Sequence, residues 1–331
     1  MPERLATEPR IRVDVLLDDA DRRSGLLDET FWSLREQPKQ ISPLWLYDEH
    51  GSRLFDRITR LPEYYLTRSE RGILRAHAAE IAAAAGADTL VELGSGTSEK
   101  TRLLLDALRK EGTLALFAPL DVSREVLLSS AEAVAAHYPG IGVHAVVGNF
   151  ERHLNSVPAG SPRLLAFLGS TIGNLVPERR ERFLGEVAET LEPDERFLLG
   201  IDLVKSPDRI EAAYNDSEGL TETFIRNALT ALNRELGSRF DQAAFAFEAR
   251  WDAAHEWVDI GLRSLRQQTI ALPLLEVDVS FAEGEFLRIE VSSKFRRAGI
   301  EAELTSAGLR LERWWTDAAG DFALVLARRV R

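Results

Sequence analysis

Between Ala83 and Val204 the chain alternates between short apolar runs and amphipathic stretches, and this alternation limits the fold more than any other feature. Apolar and β-branched runs predict five strands, at 89–93, 114–122, 143–148, 164–170 and 197–204. These runs are apolar enough to be buried on both faces, which is typical of parallel strands. The stretches between them place apolar residues three and four apart, which predicts helices that cross over the sheet. The predicted fold class is therefore α/β.

Local signals indicate where the predicted helices begin. Ser98 and Ser123 are expected as N-caps, because a serine hydroxyl can accept a hydrogen bond from a free N–H of the first turn. Pro177 is expected in the first turn of the next helix, where its missing N–H costs nothing.

The pattern changes after Val204. Helices near 209–214 and 222–236 are followed by long strands within 247–272 and at 286–293, which predicts an inserted α+β lobe. A helix at about 295–307 and two strands joined by "DAAGD", in which Gly320 can adopt a positive φ, then resume the core. We therefore expect a core at 69–204 and 295–331, and a second, substrate-binding lobe at 13–68 and 205–294.

Composition narrows the classes of function. The 331 residues are 45% hydrophobic, enough for a large core, and carry a formal charge of −12. That charge, with no basic cluster, argues against a nucleic-acid partner. The absence of cysteine excludes disulfides and thiolate metal sites, and no apolar run is long enough for a signal core or a membrane span. We expect a cytoplasmic protein with no membrane association, no metal and no obligate protein partner.

The segment "VELGSGTSEK" places Gly94 and Gly96 between the first predicted strand and its helix. A glycine turn there lets backbone N–H groups approach a ligand at the carboxyl end of the sheet. Glu99 stands where a dinucleotide fingerprint would need a third glycine, and the ending of a phosphate loop is absent. A ligand with adenosine but no phosphate fits better, with Asp121 at the next strand end to bind ribose hydroxyls. The alternative for Asp121 is an acidic helix cap.

Two further positions extend this predicted pocket. Asn149 and Phe150 end the third strand, where an amide oxygen can accept from adenine and a ring can pack on the base. Together with Gly94, Gly96 and Asp121 they predict an S-adenosylmethionine site. Lys100 could pair with the cofactor's carboxylate. The alternatives are a turn residue for Asn149 and a solvated helix residue for Lys100.

Six segments together resemble one known family. They are "YDEHGSRLFDRITRLPEYYLTR", "LVELGSGTSEKTR", "FLGSTIGNL", "LLGIDLVK", "EVSSKF" and "WWTDAAGDFALVLA". The chain from about Pro43 resembles the histidine-specific Nα-methyltransferases of ergothioneine biosynthesis, which trimethylate L-histidine to hercynine with S-adenosylmethionine. The resemblance implies a class I, Rossmann-like methyltransferase core with a second, α+β substrate-binding lobe, and L-histidine as the small-molecule substrate.

The resemblance also implies roles for matching residues. Gly94, Lys100, Asp121 and the Asn149–Phe150 pair would hold the cofactor. Asn174, Tyr47 and Tyr214 would be the catalytic set that orients the amino and carboxylate groups of histidine, while Tyr64 would approach the imidazole. Asn174 follows the fourth strand, at the methyl-donor face, although a capping asparagine is the plainer interpretation. Tyr65 is expected to pack between the lobes.

Glu290 and Ser292 lie two apart on a predicted strand and therefore face the same side. A carboxylate and a hydroxyl so placed can bind both nitrogens of an imidazole, although a solvated strand also alternates polar residues. The chain departs from the family at two positions. Asn149 stands where an aspartate is usual, and Ile260 stands where a close relative has a methionine lining the imidazole pocket.

Rival functions differ in what they require of these residues. An α-N-methyltransferase of another amino acid, such as a tryptophan derivative, would have no use for the Glu290 carboxylate, because an indole has no second basic nitrogen. A catalytically silent cofactor-binding relative would not need Asn174, Tyr47 and Tyr214. Nucleic-acid methylation is the weakest rival, because neither a basic surface nor an NPPY-type motif is present.

Overall fold

A computed structural model describes residues 11–158 and 162–330, and within them the chain forms strands and helices in alternation. The strands are β1 (Ile11–Val15), β2 (Lys39–Gln40), β3 (Thr89–Leu93), β4 (Leu116–Asp121), β5 (Gly142–Val147), β6 (Arg163–Phe167), β7 (Arg196–Asp202), β8 (Phe245–Asp252), β9 (Trp257–Ser264), β10 (Gln268–Leu272), β11 (Val277–Phe281), β12 (Phe286–Ser293), β13 (Leu309–Thr316) and β14 (Phe322–Arg329). The α-helices are α1 (Asp19–Ser33), α2 (Glu49–Ile58), α3 (Leu66–Ala85), α4 (Arg102–Glu111), α5 (Arg124–His137), α6 (Phe150–His153), α7 (Pro177–Thr190), α8 (Pro207–Ala212), α9 (Leu220–Leu236) and α10 (Arg297–Ser306).

The larger sheet has eight strands in the order β1-β5-β4-β3-β6-β7-β14-β13. Its strands are parallel from β1 to β7, and β14 runs antiparallel to both of its neighbours. All five residues of β3 and of β6 are buried, as continuous apolar strands between two helical layers should be. The order reverses beside β3, so the carboxyl ends of β3, β4, β5 and β6 meet at one edge. The α/β class, the five predicted strands and the return of the last two strands to the core are confirmed.

Two features of this sheet differ from the sequence expectations. The prediction of Ser98 as an N-cap was wrong. Helix α4 begins at Arg102, because positive φ angles at Gly94, Gly96 and Ser98 keep the intervening chain in turns. Strand β1 was not predicted, and its pairing with β5 puts residues 13–15 on the core sheet rather than in the second lobe. Ser123 occupies the N-cap position of α5, although its hydroxyl makes no capping hydrogen bond. Pro177 opens α7, and Gly320 has a φ of 70°.

A second sheet, ordered β2-β12-β9-β8, and the separate hairpin β10–β11 make up most of the inserted region. The long strands predicted within 247–272 are parts of three strands, β8, β9 and β10. Strand β12 runs directly into the core, because Phe295 forms a bridge with Leu203 at the end of β7. The end of β12 therefore lies against the carboxyl edge of the large sheet. The division into lobes stays a prediction; its last residue, Arg331, and the first ten residues lie outside the described part.

Candidate active site

One cavity of about 1570 Å³ lies between the carboxyl edge of the large sheet and the second sheet. All thirteen residues that the sequence singled out line it, from both sides: Tyr47, Tyr64, Gly94, Gly96, Lys100, Asp121, Asn149, Phe150, Asn174, Tyr214, Ile260, Glu290 and Ser292. The structure therefore brings together residues from nine segments of the chain. Their individual roles stay predictions.

Asp121 fastens the glycine turn beneath the cavity. Its Oδ2 accepts a hydrogen bond from the Gly96 N–H at 2.8 Å, and its Oδ1 accepts one from the Ser123 N–H at 2.8 Å. Burial raises the pKa of Asp121, while these backbone donors act in the opposite direction. Each carboxylate oxygen keeps further acceptor capacity, so the side chain can hold the turn and still bind hydroxyl groups.

The glycines are required by backbone conformation rather than by space. Gly94 and Gly96 have φ angles of 63° and 48°, and a Cβ on either would meet no atom within 4 Å. Side chains at these positions would be strained by the left-handed backbone while fitting sterically. The open space above both residues leaves room for a ligand to approach the main chain.

Asn149 both caps a helix and lines the cavity. Its Oδ1 accepts from the Glu151 N–H at 2.8 Å, so Asn149 is the N-cap of α6 as well as a residue of the cavity wall. Phe150 packs on Phe167 and Phe183, with ring centroids 4.9 and 5.6 Å away. These contacts fix the orientation of the Phe150 ring where it borders the cavity.

Lys100 is not a solvated helix residue. It precedes α4, and its ammonium pairs with the fully buried carboxylate of Glu70, whose Oε1 also accepts from the Gly169 N–H at 2.7 Å. The sequence reasoning missed Glu70. Its position on the apolar face of α3, four residues after Leu66 and three before Ile73, could have indicated a buried acid that needs a partner.

Glu92, at the end of β3, is a second acid that sequence reasoning missed. It is buried, its Oε1 accepts from the Thr101 hydroxyl, and its Oε2 has no hydrogen-bond partner. Burial raises the pKa of Glu92 to about 7. The Ser95 hydroxyl, beside the same part of the cavity, is also buried without a partner. Unsatisfied polar atoms at the base of a cavity fit a ligand with its own polar groups, such as the amino acid end of S-adenosylmethionine.

Aromatic residues form the wall facing the sheet. Tyr64 and Tyr214 meet edge to face with their ring centroids 6.3 Å apart, and Tyr47 meets Phe55 and Phe224 in the same way at 5.8 and 5.5 Å. Burial raises the pKa of all three tyrosines well above its ordinary value, so their hydroxyls are neutral. This wall provides hydroxyl donors on an otherwise apolar surface.

Asn174 reaches the cavity because its turn is pressed against β12. It ends a 3₁₀ turn, Thr171–Asn174, that follows β6. A Cβ at Gly173 would lie 2.9 Å from the Ser293 carbonyl oxygen, so only glycine permits this approach. The turn and the strand thereby place Asn174 beside the residues of β12 that line the same cavity.

Glu290 and Ser292 both face the cavity, as their spacing predicts. Glu290 is paired in register with Ile260 of β9, just after an irregularity in the ladder. Its Oε2 is buried without a hydrogen-bond partner, and burial raises the pKa of Glu290 to about 7 even though nearby Lys294 lowers it. The Ser292 Oγ lies 2.7 Å from the Tyr214 Oη.

A buried ion network behind Tyr214 was not foreseen. Lys294 and Asp202 form an ion pair at 2.9 Å with both side chains wholly buried. Tyr65, expected only to pack, donates its hydroxyl to the Asp202 Oδ2 at 2.9 Å and accepts from Lys205 at 2.6 Å. The segments "LLGIDLVK" and "EVSSKF" contain these charges, but nothing in either segment shows that the two meet.

The glycine turn after β3, the acid ending β4 and the Asn–Phe pair after β5 lie where the strand order of the sheet reverses. This fold and site define a class I, Rossmann-like, S-adenosylmethionine-dependent methyltransferase. The chain belongs to the family described as "Histidine-specific methyltransferase, SAM-dependent", whose family model matches residues 26–329.

Curated relatives agree with that family. The chain is 53% identical over 296 residues to the histidine N-alpha-methyltransferase of Mycolicibacterium smegmatis, covering 89% of this chain and 92% of that one. It is 51% identical over 305 residues to the protein of the same name from Mycobacterium tuberculosis, covering 92% and 95%. It is also 34% identical over 294 residues to ergothioneine biosynthesis protein 1 of Neurospora crassa, covering 85% of this chain and 32% of that longer one.

Within residues 11–158 and 162–330, no helix is long and apolar enough to cross a membrane. In the same part of the chain, no group of three or more histidine, aspartate or glutamate side chains is arranged to hold a metal ion.

Proposed function

We propose that this protein transfers methyl groups from S-adenosylmethionine to the α-amino nitrogen of L-histidine, in three successive reactions that give hercynine for ergothioneine biosynthesis. The observation that supports it best is the unpartnered Glu290 carboxylate beside Ser292, in the cavity that also contains the glycine turn. A buried acceptor without a partner requires a donor from a ligand, and an imidazole N–H is such a donor.

The cofactor half has residues of the right chemistry for each part of S-adenosylmethionine. Gly94, Gly96 and Asp121 would bind the ribose side, and Asn149 and Phe150 the adenine. Lys100 would bind the carboxylate, and Glu92 would accept from the amino group through its unpartnered oxygen. When bound, the cofactor supplies a methyl group activated by a sulfonium. The ion pair with Glu70 holds Lys100 at the cavity wall before any ligand binds.

The substrate half would orient the nucleophile. Methyl transfer needs a neutral amine aligned with the methyl group, so positioning is the main task of the protein. The Asn174 amide can accept from the amine and donate to the carboxylate, with Tyr47 near the amine and Tyr214 at the carboxylate. The faces of Tyr47 and Tyr64 suit the cationic trimethylated nitrogen and the ring, respectively.

The rival substrates differ at the ring-binding end. An indole offers one N–H and no basic nitrogen, so a tryptophan derivative would leave Ser292 or Glu290 unsatisfied in a partly buried site. Ile260 contributes only apolar surface there, and its difference in shape from methionine should be tolerated. The absence of nucleic-acid, membrane and obligate protein partners, and a cytoplasmic location, stay predictions.

The proposal is tested by incubating the enzyme and S-adenosylmethionine with each of the twenty amino acids and analysing the products by mass spectrometry. We expect mass increases of one, two and three methyl groups on histidine alone. Asn174→Ala should lose this turnover while still binding the cofactor, as measured by calorimetry. Methylation of tryptophan in preference to histidine, or cofactor binding without any turnover, would favour one of the rivals.

A further inference from the structure

The Lys294 ammonium is fully engaged beneath the substrate half of the cavity. Its Nζ lies 2.9 Å from the Asp202 Oδ2, 2.7 Å from the Tyr214 Oη and 2.9 Å from the Ser292 Oγ. An ammonium has three hydrogens and no acceptor, so each of these three oxygens receives one of them. Burial lowers the pKa of Lys294, while the ion pair with Asp202 acts in the opposite direction and favours the charged ammonium.

This arrangement limits what the two hydroxyls can donate. Tyr214 and Ser292 both accept from Lys294, and they are 2.7 Å from each other, so one hydroxyl hydrogen lies between them. A single hydrogen is then left to point into the cavity. The pair can therefore donate from Tyr214 or from Ser292, but not from both.

Of the two hydroxyls, the stronger hydrogen-bond donor should donate to the stronger acceptor. A phenol is more acidic than an aliphatic hydroxyl, and a substrate carboxylate accepts more strongly than a neutral oxygen. Tyr214 then donates to the carboxylate, and Ser292 donates to Tyr214. The remaining lone pair of Ser292 faces the cavity as an acceptor.

We propose that Lys294 is a positioning residue that makes Ser292 a hydrogen-bond acceptor. As a result, the imidazole of bound histidine and the Glu290 carboxyl together carry one proton more than a neutral imidazole and an ionised carboxylate would carry. This inference rests on the proposed function. Ser292 accepts one ring N–H. The other ring nitrogen either donates to the ionised Glu290 carboxylate or accepts from the protonated one, and both arrangements contain the same number of protons.

The charges around Glu290 allow the extra proton. Among the described residues, those that interact electrostatically with it are Lys294, which directly follows β12, and the neutral hydroxyls of Tyr47, Tyr64 and Tyr214. Asp202 offsets the charge of Lys294. Ile260, its neighbour on β9, is apolar. A carboxylate with a pKa of about 7 and an imidazole with one near 6.5 share a proton readily.

The test measures protons directly. The product, Nα-trimethylhistidine, has no titratable amine, so its binding to the enzyme with S-adenosylhomocysteine reports on the ring and Glu290 without a contribution from the amine. Calorimetry in buffers of different ionisation enthalpy gives the number of protons exchanged. At pH 8.5 the free ring is neutral and Glu290 is ionised, and we expect uptake of about one proton. At pH 5.5 both are protonated when free, and we expect release of about one proton.

Three variants separate this role from a structural one. Lys294→Met frees Ser292 to donate, so proton uptake on binding at pH 8.5 should fall towards zero. The affinity for the product should also fall, by about tenfold. Glu290→Gln, whose amide donates to a neutral ring, should also lose the uptake. Lys205→Met is the matched control, because Lys205 pairs with the same Asp202 carboxylate and does not contact Tyr214 or Ser292. It should keep the uptake of the wild type.

Zero uptake at pH 8.5 with release of about two protons at pH 5.5 would show that Ser292 donates to a neutral ring, and it would overturn the proposal. The wild type and Glu290→Gln decide the matter even if Lys294→Met does not fold. Failure of the proposed function is seen separately, as an enzyme that forms no trimethylated histidine in the mass-spectrometric assay.

Discussion

The two halves of the cavity are built in different ways. In the cofactor half, most groups come from a short stretch of chain, Glu92 to Asp121, and main-chain conformation sets their positions. In the substrate half, the groups are side chains between Tyr47 and Lys294 that belong to a loop, a 3₁₀ turn, a helix end and two strands. The first half depends on local geometry and the second on tertiary packing.

Substitutions in the two halves should therefore have different effects. Changes in the cofactor half act on a turn that every reaction of the fold requires, because the glycines and Asp121 support one another. Changes at Glu290 or Ile260 act on side chains whose loss leaves the strand pairing of β12 and β9 in place. Substrate choice should therefore be adjustable without loss of the methyl donor site.

Replacement of Glu290 by valine should have the largest effect. A site built around a hydrogen bond to a ring nitrogen discriminates strongly, so we expect kcat/KM for histidine to fall about a hundredfold or more. Turnover of tryptophan relative to histidine should rise. Steady-state kinetics with both amino acids measure the change.

The matched measurement is the affinity of Glu290→Val for S-adenosylmethionine, which calorimetry should find unchanged. Wild-type histidine kinetics in this variant would mean that Glu290 does not bind the substrate ring. A loss of cofactor affinity would mean that the two halves are not separate.

Asp121→Ala should weaken cofactor binding. The variant removes charge-assisted acceptors for the ribose hydroxyls, and it also releases the Gly96 and Ser123 N–H groups that the carboxylate holds. Such hydrogen bonds contribute about 1.5–3 kcal/mol, so the Kd for S-adenosylmethionine should rise about 10- to 100-fold. Calorimetry gives the Kd directly, and Glu290→Val provides the comparison from the other half. An unchanged Kd would remove Asp121 from the site.

Glu92→Gln tests the burial of an acid at the base of the cofactor half. The pKa of Glu92 is raised in the folded protein to about 7, above its ordinary value of 4.5, so its stabilising contribution is present at low pH and is lost as pH rises through 7. The variant has no such loss. Relative to the wild type, its free energy of unfolding should improve by about 2 kcal/mol between pH 5 and pH 8.

Urea unfolding of the unliganded proteins at the two pH values measures this difference. Parallel changes in the wild type and Glu92→Gln would mean that Glu92 is not desolvated. Because the same carboxylate should accept from the cofactor, the variant is also expected to bind S-adenosylmethionine less tightly, which a gain in stability alone would not produce.

The contrast between the halves also explains what the sequence could predict. The five strands and the glycine turn follow from periodicity and from the conformations that only glycine adopts readily. The end of the turn was misjudged, because Ser98 takes a positive φ instead of capping a helix. That choice depends on packing under the turn.

The sequence motifs predicted the residues of the substrate half, but they did not predict the buried charges that support those residues. Asp202 ends β7 of the large sheet, and Lys294, 92 residues later, directly follows β12 of the second sheet. No spacing rule predicts their pairing. Tyr65 was taken for packing because nothing in "PEYY" distinguishes the tyrosine that meets an acid. Strand β1 was missed because "IRVDV" lies among charged residues, and it pairs with β5 only once the sheet exists.

Asn149→Asp should have the smallest effect. The Asn149 Oδ1 caps α6 by accepting from the Glu151 N–H at 2.8 Å, and an aspartate would keep that bond. The added charge strengthens an acceptor for the adenine amine and favours the start of a helix, although α6 is only four residues long and Glu151 adds a negative charge beside it. These effects oppose each other, so we expect the Kd for S-adenosylmethionine to change by less than about fivefold, or about 1 kcal/mol. A tighter complex by more than this, measured against unchanged histidine kinetics at saturating cofactor, would show that the missing charge at Asn149 limits cofactor affinity.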